Sequence, residues 1–263
     1  MGTFLMPLSK VLIPLALAAQ VASLKPVVVA QAATPSKAET SPAAPGKSKS
    51  ASASAESQAG MKTVSPKEVA TLKALNEKYR TAKSATMDVS KAVKLGLIGG
   101  ERKSSGKLTI AGGQMRMELE GAEKTLLVVN KKNLFAVTFP PAELKDAAVQ
   151  VIRGETSNKK AQSQVITGLL GSGGFLKNFK PTGLMQTPSG ENLYFLAPMK
   201  AASEFKRAQL LVSKDGKEIR EFKFWDERSN ETTFSFSNIA FGKPVDASIF
   251  NYTPPANADV MNL

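Results

Sequence analysis

Between residues 87 and 237 the hydrophobic side chains return, segment after segment, at every second position, and no other feature restricts the fold of this chain as much. Met87, Val89, Val93, Leu95 and Leu97 alternate with Asp88, Ser90 and Lys94, the pattern of a strand buried on one face only. The same period recurs at 107–110, 115–119, 125–130 and 134–139, with Gly, Asn and Lys clusters between the runs. Short strands joined by tight turns predict an antiparallel meander and argue against βαβ units. After Pro140 and Pro141 the segments 143–152 and 162–170 are expected to be two short helices, the second ended by Gly171-Ser172-Gly173-Gly174. Strands resume at 193–196 and 208–212, and Asp215-Gly216 predicts a type I′ hairpin turn into 219–225. A turn at Arg228-Ser229-Asn230 leads to 233–237, and 250–253 closes the series before Pro254-Pro255. About ten strands with a few helices make the chain mainly β with helices (α+β), enough for a strongly curved sheet or an open barrel with an inside.

What precedes the strands reads differently. Ser65-Pro66-Lys67-Glu68 has the form of a capping box with proline at the first helical position, and Val69, Leu72, Leu75 and Tyr79 follow at helical spacing. An amphipathic helix over 66–83 is predicted. In 1–33, Lys10 precedes fourteen mostly apolar residues and Ala30-Gln31-Ala32 follows as a small-x-small site. This is the pattern of a cleaved signal peptide, and Gln20, Lys25 and Pro26 interrupt a run already shorter than the ~20 residues of a membrane span. Residues 34–60 are 27 positions of which 19 are Ala, Ser, Pro or Gly, so 34–64 is expected to be a disordered linker. That leaves 65–263 as one core-bearing domain.

The chain contains no histidine and no cysteine, which excludes Ser/His/Asp and Cys/His triads, His- or thiolate-held metals and disulfides. No metal, cofactor or enzymatic activity is expected. Without a cysteine to carry a lipid, the mature chain is expected to be soluble in the compartment it reaches. Ser172 lies outside a G-x-S-x-G elbow, and no Gly-Lys-Ser/Thr follows the glycine run, so neither a nucleophile nor a phosphate loop is read there. Asp226 and Glu227 beside Phe224 and Trp225 form the one tempting acid pair, at a strand end where a solvated pair is the ordinary reading. Lys and Arg total 35 against 22 Asp and Glu, and all but six of the cations and two of the acids lie beyond residue 65. The domain is therefore basic. Phe222-Lys223-Phe224-Trp225 resembles a stacking platform, but export makes nucleic acid an unsuitable ligand.

What remains is a row of apolar, adaptable side chains on one sheet face: Met115, Met117, Leu119, Leu210, Val212, Phe222, Phe224, Phe234 and Phe236. They either fill a barrel core or line a ligand cavity roofed by amphipathic helices. Arg116, between two methionines of that row, must project from the opposite face.

Taken in order, Ser105-Gly106-Lys107-Leu108-Thr109-Ile110, Gly113-Gln114-Met115-Arg116-Met117-Glu118, the hairpin from Leu127 to Phe135, Leu169-Leu170-Gly171-Ser172 and the closing run from Phe250 to Val260 resemble the outer-membrane lipoprotein carrier (LolA) family. The resemblance covers about 66–260. It implies an incomplete antiparallel β-barrel lidded by short helices, in a monomeric periplasmic carrier. Such a carrier would take the acyl chains of lipoproteins from an inner-membrane lipoprotein-releasing ABC transporter to an outer-membrane lipoprotein receptor. Met115 through Phe236 of the row above would then line the acyl cavity, and Arg116 would dock an acidic patch on a partner. The family's Arg-Pro pair before the G-x-F-R segment is replaced here by Ala111-Gly112-Gly113, and its aromatics by Met117 and Ala136. The alternative is a lipid- or lipoprotein-binding sensor of the same fold that regulates a membrane partner.

Overall fold

The computed structural model describes residues 60–97, 99–144, 146–156, 175–199 and 205–263. The signal sequence, most of the linker, the helix expected at 162–170 and the glycine run after it lie outside the described residues.

Ser65 caps the single described helix, α1 (Pro66–Thr81). The capping box closes in both directions: the Ser65 amide donates to Glu68 Oε2 at 2.6 Å and the Glu68 amide to Ser65 Oγ at 3.4 Å. The helix buries Leu72, Leu75 and Tyr79, the stripe that its spacing predicted. Tyr79 accepts a hydrogen bond from the Ile219 amide at 3.2 Å, and burial pushes its phenol up to about 12. Lys78 sits 4.0 Å from the Phe241 ring centre and donates to the Lys217 carbonyl.

The rest is one twelve-stranded sheet made of two meanders. The first comprises β1 (Ser84–Lys94), β2 (Glu101–Ala111), β3 (Gln114–Gly121), β4 (Thr125–Val129), β5 (Asn133–Thr138) and β6 (Gln150–Glu155). The second comprises β7 (Phe179–Gln186), β8 (Asn192–Pro198), β9 (Phe205–Val212), β10 (Ile219–Asp226) and β11 (Glu231–Phe241). A last short strand, β12 (Asp259–Asn262), follows. The spatial order is β12-β6-β5-β4-β3-β2-β1-β11-β10-β9-β8-β7. The two meanders therefore meet at the β1–β11 pair, where Val89 faces Phe236 and Lys91 faces Phe234. All pairs are antiparallel except β12 with β6. β7 and β12 are the two edges, so the barrel is incomplete, as the sequence led us to expect, with two strands more than the count of ten.

Four local expectations are corrected. The described residues of 143–152 form no helix: turns lead into β6, because Val151 and Ile152 are β-branched and gain ladder partners in Val137, Ala136 and the distant Val260 and Met261. The closing strand is not 250–253 but β12. Ala247–Phe250 is a 3-10 turn that buries Phe250, and Tyr252 then lies against Phe135 with ring centres 5.4 Å apart. β7 was not foreseen, since Pro181 and Gly183 interrupt its pattern; an edge strand tolerates both. The turn at Asp215-Gly216 is a four-residue loop and not type I′. Only Gly216 has a positive φ there (72°), its amide donates to the Ser213 carbonyl, and the Ser213 amide reaches the Glu218 carbonyl.

Two apolar clusters hold the sheet. The larger lies on the inner face and under α1; the smaller, on the outer face of β4, β5 and β6, joins Leu126, Val128, Phe135, Val137 and Val151 with Tyr252 and Ala258 of the C-terminal segment. β4 is thus covered on both faces, which is why its sequence is a continuous apolar run. At Gly106 the β2–β3 backbones come so close that a Cβ would lie 1.9 Å from the Glu118 carbonyl oxygen. Only glycine fits there.

Candidate functional site

Alternation along β3, β9, β10 and β11 turns one row of side chains from each strand onto the inner face. Met115, Met117, Leu119, Leu210, Val212, Phe222, Phe234 and Phe236 are all buried there, with Phe224 packed against them half-buried. Register explains the convergence: Phe222 stands between Leu210 on one side and Phe234 on the other, and Leu108 faces Met117. The aromatics form a continuous chain. Ring centres are 5.6 Å apart for Phe179–Phe222, 5.9 Å for Phe222–Phe224, 6.4 Å for Phe224–Phe234 and 4.9 Å for Phe205–Phe224. Such offset and edge-on contacts each add about 0.5–1.5 kcal/mol to the area they bury.

Sequence reasoning missed several members of this face. Phe179 sits in the proline-interrupted β7, and Phe205 is isolated in sequence between Glu204 and Lys206, so neither shows a local period. The alternation that puts Met87 and Val89 on one face of β1 puts Lys91 there too. It is half-buried, faces Phe234 and Ser104, and burial holds its ammonium below the ordinary lysine value.

Arg116 does project from the outer face. Its guanidinium bonds Glu118 and donates to the Ile249 carbonyl at 2.8 Å, with a quarter of the side chain exposed. It ties β3 to the 3-10 turn before the C-terminal segment, a contact that Asn130 reinforces by donating to the Phe250 carbonyl. The carboxylate of Asp226 is likewise engaged: it accepts from the amide and the side-chain nitrogen of Asn230 at 2.9 and 2.8 Å, so it holds the β10–β11 turn. A shallow hollow of about 420 Å³ opens on the outer face of β1, β2 and β11, lined by Asp88, Ser90, Ser105, Lys107, Ser235 and Ser237. Val89, Gly106 and Phe236 complete its lining. No helix among the described residues is long and apolar enough to cross a membrane.

The family model described as outer membrane lipoprotein carrier protein LolA matches residues 80–253, which spans both meanders. No curated protein matches. Among solved structures, an uncharacterised conserved protein from Thermus thermophilus is similar at 14% identity, covering 74% of this chain and 99% of its own, with a TM-score of 0.43. A LolA superfamily protein from Nitrosomonas europaea shares 13% identity over 73% of this chain and 98% of its own (TM-score 0.39). The lipoprotein LppX of Mycobacterium tuberculosis shares 10% over 68% and 96% (TM-score 0.39).

Proposed function

The chain belongs to the outer membrane lipoprotein carrier protein LolA family, and from that premise we propose that it is a periplasmic carrier of acylated lipoproteins. The observation that carries the reading is the inner face: one contiguous row of methionine, leucine and phenylalanine side chains drawn from β3, β9, β10 and β11. Exposing an acyl chain to water costs about 0.8 kcal/mol per methylene, roughly 12 kcal/mol for a chain of about 15. Unaided passage between two membranes is therefore negligibly slow. A protein that covers the chains with apolar side chains and then releases them removes that barrier, and it needs no titrating group or metal to do so. A sheet left open between β7 and β12 is a suitable container, since its contents can leave without breaking a closed ring of hydrogen bonds.

On this reading 1–33 is the cleaved export signal, 34–64 a spacer and 65–263 the carrier domain. Loading would come from an inner-membrane ABC transporter and unloading would go to an outer-membrane receptor. Met115, Met117, Leu119, Leu210, Val212, Phe222, Phe224, Phe234 and Phe236 would be the side chains that touch the acyl chains. Native mass spectrometry of the protein purified from the exporting cell tests this. Co-purified acylated lipoprotein is the expected result; free lipid alone would point to a sensor of the same fold, and no acyl ligand at all would overturn the reading.

A further inference from the structure

The inner row of β1 changes character along its length. Ala85 and Met87 face Ile110 and Leu108 of β2, and Val89 lies between Gly106 and Phe236. Lys91 comes next, between Ser104 and Phe234, followed by Val93 between Arg102 and Thr232. On β1 the run of apolar neighbours therefore ends at Lys91. Beyond it the neighbours are polar, and α1 covers the opposite end, where Tyr79 packs edge-on against Phe241, the partner of Ala85.

Lys91 is an expensive residue for that position. Lysines are almost never fully buried unless paired; Lys91 is half-buried, and among the described residues it has no ion-pair or hydrogen-bond partner. The carboxylate that acts on it is that of Glu123, and Glu123 already bonds Arg102 at 2.8 Å. Two cations thus share one carboxylate at the rim of the apolar interior. Burial lowers the Lys91 ammonium below its ordinary value, the sign of a half-buried charge that water only partly solvates.

We propose that Lys91 anchors the headgroup of an anionic amphiphile, its ammonium meeting a phosphate or carboxylate while the acyl chain lies along Val89, Phe234 and Phe236 toward α1. This rests on the carrier reading for the acyl row and adds a second ligand class to it, acyl ligands that carry a negative charge next to the chain.

The test uses two probes that differ by one phosphate, palmitoyl lysophosphatidic acid and monopalmitoylglycerol, titrated below their aggregation limits into the whole protein at neutral pH. The wild type should bind the anionic probe about tenfold more tightly than the neutral one, the scale of a hydrogen bond to a charged group. Lys91→Met should bring that ratio close to one, and Lys91→Arg should keep it. A thermal melt of each variant confirms folding. If Lys91→Met leaves the ratio unchanged, or if both probes bind the wild type equally, the anchor is refuted while the acyl site stands. Glycerol 3-phosphate binding as tightly as the lysolipid would mean a free-phosphate site and would also refute it. If neither palmitoyl probe binds, the carrier reading fails with it.

Discussion

Phe222→Ala measures how the interior is filled. The side chain is fully buried, stands between Leu210 and Phe234 in the ladder and meets the rings of Phe179 and Phe224. Truncating a buried phenylalanine costs about 3–5 kcal/mol in lost transfer energy and residual cavity, and losing two ring contacts places this site at the upper end. At about 2–4 °C per kcal/mol for a domain of this size, the melting temperature should fall by roughly 6–20 °C. Phe222→Leu, which keeps most of the volume, should cost less than about 1.5 kcal/mol. Urea unfolding can be followed through Trp225, the single tryptophan, three positions along the same strand and stacked under Arg207 at 4.1 Å. The midpoint should drop with the slope unchanged. A loss below about 1 kcal/mol for Phe222→Ala would mean that the ring borders open space already, and the argument from a packed interior would be wrong.

Gly106→Ala forces a Cβ onto the Glu118 carbonyl and should cost about 1–3 kcal/mol by separating β2 from β3, read as a lower urea midpoint. Arg116→Glu sets two carboxylates side by side and frees the Ile249 carbonyl. It should cost about 1–3 kcal/mol and accelerate hydrogen exchange at Asn251, whose amide bonds Ser248 in the adjoining 3-10 turn. Deleting residues 34–60, which are mostly Ala, Ser, Pro and Gly, should leave the melting temperature unchanged, because such a segment offers the core little to bury. Because the Lys91 pKa is lowered on folding, the unfolded chain binds more protons between that lowered value and the ordinary 10.5. Wild-type stability should gain a rise with pH across that window that Lys91→Met lacks, as urea titrations at a series of pH values would show.

Where a residue's fate is settled by its immediate neighbours, the sequence was readable. α1 is announced by its own cap, β1, β2, β3 and β5 by alternation bounded by turn residues, and β4 by a short apolar run between two turns. β6 was misread because five or six residues with Val151 and Ile152 can satisfy either period; its partners β5 and β12 decide, and β12 is more than a hundred residues away. The same distance hid the C-terminal segment. Phe250 and Tyr252 look like alternate strand residues, yet one plugs the end of a 3-10 turn and the other covers the outer face of β5. Of the inner row, the residues recognised were those whose neighbours repeat the pattern. Phe179 and Phe205 were lost to irregular surroundings, and Lys91 was lost for the opposite reason, since a charge inside a regular apolar row reads as an interruption of it.

On the carrier reading a packed interior and a cargo site are compatible, and their competition would set the affinity. Burying one acyl chain of about 15 methylenes is worth roughly 12 kcal/mol, which alone would correspond to nanomolar binding. The chain would enter by displacing side chains that now bury one another, and giving up the packing of one phenylalanine costs about 3–5 kcal/mol. The difference, about 8 kcal/mol, corresponds to micromolar binding, tight enough to keep a chain out of water and loose enough to hand it on. A hollow barrel would bind more tightly and release too slowly. The aromatic chain from Phe179 to Phe234 would then be a competitor that weakens the hold on cargo as well as a lining for it. Thinning it, as in Phe222→Ala, should strengthen acyl binding even as it weakens the fold.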